Sequence, residues 1–190
     1  KINIMKKILL VAIALFLGAS TSAQDKYFTK NGTITFDATT STSPEKVAAV
    51  NKSVTCVLDG KTGNAQFSVL MKGFEFEQAL MREHFHENYL ESEKFPKALF
   101  KGQIINPSQI NYSKNGIYDV AVKGQLTMHG QTKDVETNGK VSVNDGKISI
   151  AAKFAVLLSD YGIEIPRLVS DKVAKSASIK VDCSLQVLGN

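Results

Sequence analysis

The sequence predicts an all-β protein, an antiparallel barrel of about eight strands with one helix at its mouth. Three observations carry that reading. Apolar and polar residues alternate with period two along most of the chain, so each such segment has one face to bury. The segments are joined by short connections bearing Gly, Asn or Asp, as hairpins require. Helical spacing interrupts the alternation over only one long stretch. Closing such a sheet on itself removes its exposed edges. At about eight strands, the interior either fills with side chains or holds one small ligand.

The first residues are read separately. Lys6-Lys7 precede the apolar run Ile8 to Leu17 and the small residues Gly18 to Ala23, which is the order of a secretory signal. The run is shorter than the roughly 20 residues a spanning helix needs. Residues 1–23 are therefore expected to be a signal peptide. Met5 reads as the start of translation, and the mature protein as one barrel domain over 24–190, periplasmic or secreted. No cysteine stands at the cleavage region to take a lipid anchor. Removing residues 1–23 leaves 167 residues and takes three lysines with it, so the net charge falls from +5 to +2. No Lys/Arg cluster with interleaved aromatics remains to track a phosphate backbone, which argues against nucleic acid as a partner.

Strand signals then follow in order. Ile34 and Phe36 alternate with Thr33, Thr35 and Asp37; Val54, Cys56 and Leu58 alternate with Thr55, Val57 and Asp59. Ala65, Phe67, Val69 and Met71 lie beyond the glycine-bearing loop Asp59 to Gly63. Tyr118, Val120, Val122, Gly124, Leu126 and Met128 share a face. His129-Gly130 marks a turn before the polar strand Thr132 to Thr137. Val141 and Val143 face Ile148, Ile150, Ala152, Phe154 and Val156 across Asn144-Asp145-Gly146. Ile179, Val181, Cys183, Leu185 and Val187 close the series. Two segments read as helices. Ser43-Pro44 combines a capping serine with proline at the first helical position, predicting a short helix near 44–50. Phe76, Leu80, Phe85 and Tyr89 recur near helical spacing over 75–90, and Pro96 prevents continuation.

Catalytic constellations are weak. There is no Gly-x-Ser-x-Gly elbow. Gly60-Lys61-Thr62 resembles the end of a phosphate loop, but Thr55 stands where the first glycine is needed, so it reads as a hairpin loop. His84 and His86 in Glu-His-Phe-His-Glu would share a metal on a strand. On a helix they diverge by about 200°, so no metal is assigned. His129 reads as an exposed turn residue. Cys56 and Cys183 fall on inward phases, and the sequence leaves open whether they are bridged or buried as free thiols. Asn31, Asn51 and Asn111 each begin a glycosylation sequon, relevant only to a eukaryotic secretory route. Alternation alone also leaves a solid core and a ligand cavity as equal alternatives.

The segment from Gly124 to Val135, Gly-Gln-Leu-Thr-Met-His-Gly-Gln-Thr-Lys-Asp-Val, resembles the Gly-x-Leu-Thr-x-x-Gly-x-Thr-x-x-Val hairpin of the YceI-like family of secreted, lipocalin-like polyisoprenoid-binding proteins. Phe95-Pro96-Lys97-Ala98-Leu99-Phe100 is similar to the family segment leading into a strand after the helix. Asp160-Tyr161-Gly162-Ile163 resembles its Gly-Ile element. The resemblance covers about residues 60–190. Upstream, the family's His-containing first strand and glycine-phenylalanine element have no counterpart through Ser41 to Asn51. Arg82-Glu83-His84-Phe85 only approximates the family's arginine and histidine-leucine pair.

This resemblance implies a non-enzymatic lipocalin-like barrel that sequesters or carries a polyisoprenoid, isoprenoid quinone or fatty acyl chain. The alternative from the residues is a scaffold or interaction domain with a solid barrel. Burying about twenty ligand carbons at about 0.8 kcal/mol per CH2 gives roughly 16 kcal/mol, against an association cost of about 4–15 kcal/mol. The expected lining is Phe36, Phe67, Val69, Met71, Val120, Val122, Leu126, Ile150, Phe154 and Val181, with Phe76, Leu80 and Phe85 from the helix and Tyr89 offering a polar contact at the mouth. No cofactor beyond the apolar ligand is expected. A transient contact with a membrane surface accompanies that reading, and the oligomeric state stays open.

Overall fold

In the computed structural model, residues 26–188 are described; the expected signal peptide, residues 1–23, lies outside them. Eight long strands form the barrel: β1 (Lys26–Thr39), β2 (Ala48–Asp59), β3 (Asn64–Leu70), β5 (Lys97–Ile104), β6 (Gly116–Met128), β7 (Gln131–Asn144), β8 (Lys147–Leu157) and β9 (Val173–Val187). A two-residue strand, β4 (Glu75–Phe76), adds to β2. Every pairing is antiparallel. The order runs β1-β9-β8-β7-β6-β5-β3-β2, and β1 pairs with β2 to close the ring. This is the architecture that the alternation predicts.

The β6–β7 hairpin is the longest regular ladder. It pairs every residue from Gly116↔Val143 to Met128↔Gln131. His129 and Gly130 take φ of 50° and 74°, and Asp145 and Gly146 at the β7–β8 turn take 48° and 76°. Two consecutive left-handed residues are what a two-residue hairpin needs to match strand twist. The polar segment Thr132 to Thr137 and the apolar Val141 and Val143 belong to one strand, β7.

The predicted helix near 44–50 does not form. Ala48 to Val50 open β2, with Ala49 buried and paired to Phe36 on one side and Phe76 on the other. Ser43 caps no helix. Its hydroxyl accepts from the Thr40 amide at 2.8 Å and donates to the Lys172 carbonyl at 2.6 Å. The long helix is also shorter than predicted. Residues 75–76 are strand β4, Ala79–His84 form the one α-helix among the described residues, α1, and Phe85–Tyr89 continue as a π-turn. In both places tertiary pairing of small or aromatic residues outweighs a weak local helical preference.

The interior is not uniform. Tyr27 stacks on Tyr112 at 5.1 Å between ring centres, and Val54, Cys56, Val143, Ile148, Cys183 and Leu185 are buried in the core. None of these borders the barrel's main void, so part of the barrel is solid and the remainder is hollow.

Candidate functional site

The hollow part is a cavity of about 540 Å³, within the roughly 300–1,000 Å³ usual for small-molecule sites. All fourteen residues expected to line a pocket border it: Phe36, Phe67, Val69, Met71, Phe76, Leu80, Phe85, Tyr89, Val120, Val122, Leu126, Ile150, Phe154 and Val181. The wall also includes Phe74, Phe100, Met128, Val156, Leu158 and Ile179, which the sequence reading did not select. Val156 and Ile179 lie on inward phases already legible as such. Phe74 follows a one-turn 3-10 segment, Met71–Gly73, and has no periodicity to reveal it.

Small residues at the wall make room for large ones. Gly102 and Gly124 pair across β5 and β6, and a side-chain carbon on either would meet the Phe100 ring within 2.6 Å. The ring thus lies flat over two glycines, which keeps it against the wall. Phe67 meets it edge-on at 6.0 Å. Gly124 of the family-like hairpin motif therefore has a steric role: the close approach allows no Cβ.

One side of the cavity is sealed by aromatic packing. Phe85, buried at the start of the π-turn, contacts Phe36 at 5.4 Å, Phe74 at 5.7 Å and Phe76 at 4.8 Å between ring centres. His86 fastens this turn to the body. Its Nε2 donates to the Phe74 carbonyl at 3.2 Å, which leaves Nδ1 to accept from the buried Ser92 hydroxyl at 3.0 Å. His84 is exposed and borders the cavity. The two imidazoles thus serve different surroundings. Among the described residues no group of three or more His, Cys, Asp or Glu side chains is placed to hold a metal.

Polar side chains at the cavity are few: Thr137 and Lys140 on β7, and a group at one end. Glu45, Gln78, His84 and Lys172 are exposed and border it, together with the 63% exposed Leu80, and they mark the mouth. Tyr89 is half-buried on the same side. The mouth is clipped: Thr40 Oγ1 donates to the Asp171 carbonyl at 2.8 Å, Thr42 donates to the same oxygen, and Ser43 donates to Lys172. Such an arrangement solvates an apolar chain inside and leaves water to its polar end. Within the cavity it offers no nucleophile with an adjacent base.

A family model for the YceI-like domain matches residues 17–185. The chain belongs to the YceI-like family. The match extends upstream of the 60–190 span over which the motifs are legible and takes in the whole of β1 and β2. Solved structures with this fold include a polyisoprenoid binding domain from Saccharophagus degradans implicated in plant cell wall breakdown. It is 11% identical, with a TM-score of 0.74 over 86% of this chain and 99% of that one. BcnA of Burkholderia cenocepacia is 15% identical, with a TM-score of 0.65 over 82% and 96%. The Campylobacter jejuni YceI protein is 16% identical, with a TM-score of 0.53 over 74% and 85%. Comparison with curated proteins yields no match. At these identities the structural likeness concerns the barrel alone.

One further residue departs from expectation. His129 is no exposed turn residue, since its side chain is only 12% exposed. Nδ1 donates to the Tyr161 carbonyl at 2.8 Å, Nε2 lies 3.0 Å from the Glu91 carboxylate, and Phe95 packs edge-on at 4.6 Å. This histidine of the YceI-like hairpin therefore joins three chain segments. Cys56 and Cys183 are free thiols, buried together. Gly32 of the intervening β1 makes their meeting possible, because a Cβ there would lie 2.4 Å from Cys183 Sγ. The hydrogen bond with Cys183, with burial added, pushes the Cys56 thiol up. Asn51, one of the three sequon asparagines, is fully buried, so the folded chain offers it to no transferase.

Proposed function

We propose that this YceI-like protein sequesters or carries a long apolar molecule, a polyisoprenoid, isoprenoid quinone or fatty acyl chain, inside the barrel. The observation that carries the proposal is the cavity of about 540 Å³ with a wall that is mostly apolar and carries few polar side chains. The S. degradans relative, a polyisoprenoid binding domain, supports the choice of ligand class. A barrel used only as a scaffold would gain stability by filling this void, since each unfilled volume forfeits packing contacts. Binding rather than catalysis is proposed because no acid, base or nucleophile set converges on the void. The protein acts outside the cytoplasm after removal of residues 1–23, in keeping with their signal-like order.

Native mass spectrometry of freshly purified protein, before and after organic-solvent extraction, tests the reading. An adduct that is lost on extraction and identified as an apolar chain is expected. Protein without adduct that also takes up no added farnesol or fatty acid would replace the carrier reading with the scaffold one. Amino-terminal sequencing of the exported form tests the location. A first residue at Gln24 is expected, and an intact amino terminus in a membrane fraction would refute it.

A further inference from the structure

The barrel wall is not hydrogen-bonded all the way around. Strands β7 and β8 pair from Asn144↔Lys147 only as far as Gly139↔Ala152. Beyond that point β7 continues towards Gln131 on the edge of β6, and β8 continues to Leu157 on the edge of β9. At Gly139 the strands pinch, since a Cβ there would lie 2.9 Å from the Ala151 carbonyl oxygen. They then part around a cleft of about 490 Å³ between residues 133–138 and 153–157, where a continuous ladder, with strands about 4.8 Å apart, would leave none. The Thr137 hydroxyl spans the gap, its one proton shared between the Lys153 carbonyl and the Asn138 carbonyl on its own strand, each at 3.3 Å. At its far end the cleft is bounded by the turn Leu158–Tyr161, which His129 holds through the Tyr161 carbonyl.

Val135, Thr137, Phe154 and Val156 border both this outer cleft and the inner cavity. One layer of side chains therefore separates the cavity from solvent here. Opening it takes rotation of those side chains and loss of one long hydrogen bond. The Phe85 aromatic cluster and the clips to Asp171 and Lys172 brace the mouth, so widening it instead means breaking ring contacts or hydrogen bonds. A long chain that passes sideways through a wall need not be threaded end-on.

We propose that the gap between β7 and β8 is a lateral portal through which the apolar chain enters and leaves the barrel. The proposal rests on the carrier reading above and adds the route to it. It is tested by tying the two edges together. Glu136 and Ala155 are exposed and would face each other if the ladder continued in register. A Glu136→Cys, Ala155→Cys variant joined by a short bismaleimide fixes the gap, while the native thiols are too buried to react. Retinol, a fluorescent isoprenoid alcohol, is the probe, and its transfer to phosphatidylcholine vesicles gives the exchange rate.

Joining should slow exchange at least about tenfold, with equilibrium affinity held within about twofold, because both directions pass the same barrier. The same link between Ser142→Cys and Ser149→Cys, which already pair, should leave exchange unchanged. Thr137→Val, nearly isosteric and lacking the spanning hydroxyl, should exchange faster than wild type. Equal rates in the joined and unjoined forms of the Glu136→Cys, Ala155→Cys variant, or slowing by the Ser142/Ser149 link as well, would overturn the portal while leaving the carrier reading intact. If the joined variant cannot be obtained folded, an unchanged rate in Thr137→Val overturns it. Wild-type protein that binds no retinol, farnesol or fatty acid removes the carrier reading and the portal with it.

Discussion

Filling the cavity separates a ligand site from an under-packed core. Val122 lies on β6 between Ile104 and Thr137, half-buried, with its side chain at the cavity wall. Val122→Phe adds about four carbons to that wall. If they occupy space otherwise given to ligand, about four ligand methylenes lose their place, at about 0.8 kcal/mol each. Binding then weakens by about 3 kcal/mol, roughly two-hundred-fold in Kd. The protein itself should not suffer, because the ring enters a void and buries apolar surface. In a packed interior the same ring would cost about 1–3 kcal/mol, lowering Tm by about 2–4 °C for each kcal/mol in a chain of this size. Retinol titration and thermal melts by circular dichroism, run on the same preparations, give both quantities. Unaltered affinity with a lowered Tm would refute the reasoning, since it would mean that Val122 faces packed atoms and not ligand space.

Other consequences are equally direct. Asn51→Ala should lower stability by about 1–3 kcal/mol in urea unfolding, because it removes the two hydrogen bonds of the fully buried Asn51 side chain, to the Leu70 carbonyl at 2.8 Å and from the Ser53 amide at 2.9 Å. Tyr112→Phe should be neutral or stabilising by up to about 1 kcal/mol, since the buried Tyr112 hydroxyl has no hydrogen-bond partner among the described residues. The same burial pushes its phenol up to about 12, and burial raises Tyr161 too, so spectrophotometric titration of the native protein should show two tyrosines ionising late, of which Tyr112→Phe removes one. Gly124→Ala should destabilise by about 1–3 kcal/mol in thermal melts and weaken retinol binding, because the new Cβ would sit 2.5 Å from Lys101 O and press on the Phe100 ring. Denaturation without reductant should expose two titratable thiols, from Cys56 and Cys183, by Ellman assay; no titratable thiol would show that the pair is bridged.

Much of the barrel was legible because its wall obeys a local rule. A strand with one buried face must alternate, and Val120, Val122 and Leu126 declare their side whatever their partners are. The turn at Asp145-Gly146 is similarly local, since glycine and a short polar side chain tolerate the left-handed backbone that a two-residue hairpin needs. For the same reason the ten expected wall residues on strand phases all border one void, whereas Phe76, Leu80, Phe85 and Tyr89 reach it from a segment whose helical spacing was only partly kept.

Tertiary structure alone decided how that interior is divided. Alternation says which side chains point inward but not how far they reach across the axis, so a solid and a hollow barrel share one pattern. Here Tyr27 on Tyr112 belongs to the filled part, while Gly102 and Gly124 hold Phe100 flat and keep the hollow part open. The segment 44–50 followed the same logic. Its capping serine favoured a helix by about 1 kcal/mol, yet the pairing of Ala49 between Phe36 and Phe76 made Ala48 to Val50 the start of a strand. His129 took a place beside Glu91 and Tyr161 that no local pattern announces, because its partners lie 38 and 32 residues away. The parting of β7 from β8 is of this kind too. Both strands alternate without a break through Gly139 and Ala152, and whether their edges meet depends on the curvature of a closed sheet, which no single segment encodes.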